Sequence, residues 1–230
     1  MKSYALSACA ALALVVPGFS QSLSWDTGGH ATDTFGNTLV FADGALGMSV
    51  TSWGHTRGKA NDAFESGKSV LYHTGLGVTN RDEGSRVPEH QVDNAKGNDW
   101  ILIVFDTAVT DVTIVVDPYG VWDRDVTYYT ANLSGPVDLT GLDYSDLAEL
   151  GFGQRTDDFS TRSGTSRDVE IEGATPSFNA VLIGAQLGPQ GHRGVDRFKV
   201  AGVNAIVAVP EPSAAMLGFL GALGLLRRRR

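Results

Sequence analysis

Two seven-residue runs, WILIVFD at residues 100–106 and DVTIVVD at residues 111–117, decide how this chain is read. Both are dense in β-branched and aromatic side chains, the residues that fit a pleated, half-buried surface. Residues 107–110 between them are a hairpin-sized link, so the two runs are expected to pair antiparallel. Outward from this pair, DVTYYTA (residues 125–131) follows a Pro118-Tyr119-Gly120 turn. Further strands are expected at residues 38–42, 47–53, 168–171, 178–185, 197–200 and 203–209. One segment reads helical: LDYSDLAEL, residues 142–150, which Gly141 and Gly151 flank as start and stop. It is short enough to cap one end of a sandwich. Many short strands, frequent glycine turns and a single helix predict an all-β protein, a single β-sandwich of jelly-roll type with one short helix.

Composition fits that reading. The chain has 230 residues, 42% of them hydrophobic and 28 of them glycine. That apolar fraction excludes a disordered chain and is enough for a core. A net charge of −8 argues against a nucleic-acid binder, which needs basic surface for phosphates. No apolar run in the middle approaches the ~20 residues of a membrane span.

The ends carry the address. Lys2 precedes an apolar stretch from Ala5 to Val16, which Pro17 and Gly18 close. Gly18 and Ser20 are the small residues expected at −3 and −1 of a cleavage site, so residues 1–20 read as a signal peptide. Cleavage there removes Cys9, the sole cysteine, and stability must then come from packing or bound ions. At the other end Pro210, Glu211 and Pro212 precede the apolar residues 213–226 and then Arg227, Arg228, Arg229 and Arg230. Fourteen residues of helix span about 21 Å, short of a ~30 Å hydrocarbon core. Such a C-terminal membrane-inserting helix enters the bilayer and crosses it only marginally. Its arginines orient it with the basic end in the cytoplasm. Taking Lys2, the four arginines and Glu211 from the 18 basic and 26 acidic residues leaves 13 and 25 in residues 21–209, a net charge of −12. That suits a soluble extracytoplasmic domain, and a divalent cation.

The tail at residues 210–230 resembles the PEP-CTERM sorting signal of Gram-negative bacteria. The matching parts are Pro210-Glu211-Pro212, the apolar helix and the terminal arginines. The resemblance implies an exosortase as partner, transient residence in the inner membrane, and deployment at the cell surface or outside the cell. It also implies a host that makes exopolysaccharide. A second likeness covers roughly residues 75–200. Gly75-Leu76-Gly77-Val78, Glu89-His90, Val92-Asp93-Asn94, Trp122-Asp123-Arg124-Asp125, Ile183-Gly184-Ala185 and Asp196-Arg197-Phe198-Lys199 look like a family of exosortase-dependent surface proteins. The chain departs from it at Tyr144 and Phe152, where that family has tryptophans.

For chemistry, the polar segment holding Glu89, His90, Asp93, Asn94 and Asp99 stands out. Calcium takes six to eight oxygens from carboxylates, amides and carbonyls. Asp93, Asn94 and Asp99 begin such a shell in this reading, and Asp123 and Asp125 complete it. The D-x-D spacing points both carboxylates to one side of an extended chain. Turn-forming Asp and Asn bonding their own backbone give a simpler account of the same residues. His90 is expected as a turn or core histidine beside a carboxylate rather than a metal ligand. A zinc site is not expected, because the five histidines are widely spaced. Trp100 is expected in the core. Trp122, beside Asp123 and Asp125, is the aromatic to test for carbohydrate. No G-x-S-x-G elbow occurs, and Ser66-Gly67-Lys68-Ser69 has Asp62 where a P-loop needs glycine. The expectation is therefore a non-enzymatic surface or matrix protein, with a secreted carbohydrate-binding module and then a polysaccharide hydrolase as the alternatives.

Overall fold

A computed structural model describes residues 20–24, 34–43, 46–56, 62–83, 90–188 and 194–208. The expected leader up to residue 19, Glu89 and the whole of the sorting tail lie outside them. The strands run in the order β1 (Ser20–Ser24), β2 (Thr38–Asp43), β3 (Leu46–His55), β4 (Phe64–Ser66), β5 (Lys68–Tyr72), β6 (Gly75–Thr79), β7 (Val92–Asp93), β8 (Asn98–Asp117), β9 (Val126–Ala131), β10 (Thr156–Asp158), β11 (Arg167–Ile171), β12 (Phe178–Ala185) and β13 (Arg197–Val207). All pairings between them are antiparallel, and they link into one sheet. The protein is all-β.

The expected hairpin is absent: the two runs are the halves of one 20-residue strand, β8. The link has no Gly, Asn or Asp to reverse the chain in a tight turn. Instead Val109 is fully buried, and the chain bends without turning back. The register records the bend. Between Ala180 and Phe178 β12 moves two residues, while β8 moves five, from Val104 to Val109. Asp111 completes it with a φ of 47°, a left-handed conformation uncommon outside glycine. The first half of β8 pairs with β3 and β12, the second with β11 and β13. The bend also changes which residues face inward. Ile101, Ile103 and Phe105 from the first half meet Val112, Ile114 and Val116 from the second in the larger apolar core. Burying a large apolar side chain contributes about 1.5–3 kcal/mol, so this shared core is what stabilises the bend.

Trp100 and Leu102, on the opposite face of β8, build a second core with Tyr129, Ala180 and Leu182. Trp100 is fully buried, as expected. The segment that reads helical in sequence lies here and forms a 3-10 turn, Tyr144–Ala148. Asp143 caps it, accepting from the Tyr144 N–H, and Asp146 reaches back to the Asp143 N–H at 2.7 Å. One turn suffices because its task is local. Leu147, Leu139 and Phe152 cover the Trp100 face of the sheet rather than one end of it. Tyr144 takes the Trp100 indole N–H on its hydroxyl at 3.2 Å and stacks on His55 at 4.0 Å.

Candidate functional site

The polar residues singled out in sequence gather where β7, β13 and the start of β8 meet. They do not form one shell. They divide into two acidic groups, set back to back, and strand alternation divides them. Arg197 of β13 pairs with Asp93 of β7. Successive side chains on a strand leave opposite faces. Asp93 and Arg197 accordingly go to one side, and their chain neighbours Asn94 and Asp196 go to the other.

The first group is Asp93, Asp99 and Glu83, with one carboxylate oxygen of each within 4.8 Å of the others. Asp99 is fully buried. It accepts from Asn80 Nδ2 at 2.8 Å and from the Asp93 N–H at 3.2 Å. Asp93 accepts from the Ala95 N–H, and Glu83 from the Asn80 N–H. Arg197 Nε lies 3.8 Å from Asp93 Oδ2. Burial, reinforced by the charge of Asp93, pushes Glu83 up to about 7. Burial pushes Asp93 up to about 6. Asp99 is raised well above the usual carboxylate range by burial and then by Glu83 and Asp93.

The second group is Asp123, Asp125 and Asp196, again within 4.8 Å. An isolated bridge joins Asp123 to Asp196, and the Arg197 N–H bonds the Asp123 carbonyl at 3.0 Å. Ser160 donates its N–H to Asp125 and its hydroxyl to Asp123. Asn94 belongs here. Its Nδ2 donates to Asp196 Oδ2 at 2.8 Å and to the Gln186 carbonyl at 3.2 Å, and its Oδ1 accepts the Asp196 N–H. Burial pushes Asp196 up to about 7, aided by the charges of Asp125 and Asp123. The D-x-D expectation holds in that Asp123 and Asp125 share a group, but their third member is Asp196, not Asp93 or Asp99.

Sequence reasoning missed Glu83, Asp196 and Gln186 as participants. Nothing in the sequence around Asp196 announces a partner more than seventy residues away. His90 meets the Thr79 hydroxyl through Nδ1 and stacks on Tyr72. Trp122 donates its indole N–H to the Tyr119 carbonyl. Arg197 lies 4.4 Å from its ring centroid and Arg162 5.6 Å. These guanidiniums occupy positions that a stacked sugar would contest.

The fold and the site define an all-β protein with two carboxylate triads at one strand junction, two members of each buried. No family profile matches the chain, and no curated protein or solved structure is similar to it.

Proposed function

We propose that this is an exported, non-enzymatic surface or matrix protein, with residues 210–230 as a sorting signal read by an exosortase in the inner membrane. The observation that carries this is the tripartite tail, Pro210-Glu211-Pro212 followed by the apolar segment and four arginines. The compact unit Ser20–Ala208 supports it, because β13 ends at Val207, three residues before Pro210. The sheet, bent between the halves of β8, is read as a jelly-roll-like β-sandwich enclosing the larger core. The net charge of −12 over residues 21–209 suits a domain that works outside the cytoplasm.

Replacing Pro210, Glu211 and Pro212 together with alanine is expected to trap the full-length protein in the membrane fraction of its host. Immunoblots of membrane and secreted fractions give the readout. Processing and release at the normal rate would reject the sorting role. Mass spectrometry of the mature wild-type protein fixes both termini and any attached group.

A further inference from the structure

One row of side chains has polar groups that the fold leaves unsatisfied. On the Trp100 face, Trp53, Trp100, Gly184 and Thr127 are successive cross-strand partners on β3, β8, β12 and β9. Two residues further along, His55 pairs with Asn98. Extending the other ladders past their last pairs sets Gln186 between Asn98 and Asp125, and the Gln186 N–H bonds the Asp125 carbonyl at 3.1 Å. Directly opposite residues send their side chains to the same face of a sheet. Gln186 is therefore beside Asp125 at the second triad, and its own carbonyl receives Asn94, which also holds Asp196. Gln186 is 1% exposed, yet neither Oε1 nor Nε2 has a hydrogen-bond partner. A buried amide left unpaired is costly, and native proteins rarely tolerate it without a ligand or water.

We propose that Asp123, Asp125 and Asp196, together with the side-chain oxygen of Gln186, bind a calcium ion, at a site distinct from the Glu83–Asp93–Asp99 group. The donors are all oxygen, which suits a hard cation and disfavours zinc. The set is an irregular mixture of carboxylate and amide on separate elements. Calcium accommodates that, whereas magnesium demands near-octahedral geometry and keeps its waters. The cations of the chain nearest in sequence are engaged elsewhere. Arg124 gives its terminal nitrogens to the carbonyls of Thr165 and Thr161, at 2.6 and 2.9 Å. Arg197 reaches to Asp93 and the Trp122 ring. N–H groups bond the carboxylates of both triads, and the second is the stronger candidate because the unpartnered buried amide of Gln186 lies beside it. An ion at the second triad joins β9, β12 and β13 in a body without disulfides. This site stands independently of the sorting role.

The test uses the full-length protein in detergent, stripped with chelator and titrated with calcium chloride by calorimetry and thermal melting. One calcium per chain is expected. At a calcium concentration a hundredfold above Kd, the melting temperature should rise by about 5–10 °C. Asp196→Asn should weaken binding at least tenfold, and so should Gln186→Leu, which keeps the buried volume. Glu83→Gln, in the other triad, should leave it unchanged. Absence of binding heat and of any shift in the wild type at millimolar calcium overturns the proposal, whatever the variants do. So does wild-type affinity in both Asp196→Asn and Gln186→Leu, or a loss confined to Glu83→Gln.

Discussion

Gly77→Ala is expected to lower the melting temperature by about 10 °C or more, a loss on the order of 4 kcal/mol. A Cβ at this position would lie 1.7 Å from the His90 carbonyl oxygen and 2.7 Å from its carbon. Those are backbone atoms, so no side-chain rotation relieves the overlap. Gly77 sits in β6 between the buried Leu76 and Val78, and that strand cannot retreat without opening the core. The segment at residues 90–91 must move instead. It leads into β7, and its Gln91 side chain accepts the Tyr119 N–H at 2.7 Å, so the displacement reaches both the acidic junction and the turn after β8. Gly135→Ala is the control, since nothing lies within 4 Å of its would-be Cβ. It should change stability by no more than about 0.5 kcal/mol. Equal melting of the two variants would show that the approach of residues 90–91 to β6 is not as close as described.

The same glycine illustrates what the sequence could tell. Gly75-Leu76-Gly77-Val78 is visible as a string, and its reason is not. Gly75 has a φ of 128°, and its Cβ would meet the Val200 carbonyl oxygen at 2.5 Å. Both glycines answer to segments distant in the chain, and the sequence carries no trace of that distance. Strand existence was more legible, because burial of alternate residues is written locally. Residues 178–185 coincide with β12, and residues 38–42 and 47–53 fall within β2 and β3. The candidates at 197–200 and 203–209 fuse into β13, because the link Ala201-Gly202 lies in a register shift rather than a turn. The short strands β4, β5 and β10 are not legible in the sequence, since three to five residues with polar members carry little periodicity.

Connection was least legible. A hairpin and a bent continuous strand place the same two apolar runs four residues apart, and only tertiary pairing distinguishes them. The site failed in the same way. Asp93 and Asn94 are neighbours in sequence, and that suggests a common shell. Alternation on an extended chain sends them to opposite groups, while Asp196 and Gln186 return from β13 and β12 to complete one of these. An acidic stretch thus announced a polar junction but not how its residues are divided.

Those carboxylates should give the protein an inverted pH dependence. In chelator, the melting temperature is expected to fall as pH rises from about 5 to 7.5. Glu83 and Asp196 are pushed up to about 7 and Asp93 to about 6 in the folded state, each by burial first. In the unfolded chain the same groups titrate near 4. Between these values the folded state holds more protons than the unfolded one, and stability must decrease with increasing pH. The decrease ends once pH passes the raised values. The total is about 3 kcal/mol, or roughly 10 °C. Asp138 works in the opposite sense, because its hydrogen bonds with Thr140 lower its pKa. Its stabilising contribution is lost only as pH falls below about 4, outside this window. Asp196→Asn removes one of the strained ionisations and should flatten the slope. Calcium should flatten it further at neutral pH, because the ion takes the place of the proton that Asp196 would otherwise hold. A melting temperature that climbs between pH 5 and 7.5 in chelator would mean that the junction is open to water, its carboxylates ionised at little cost.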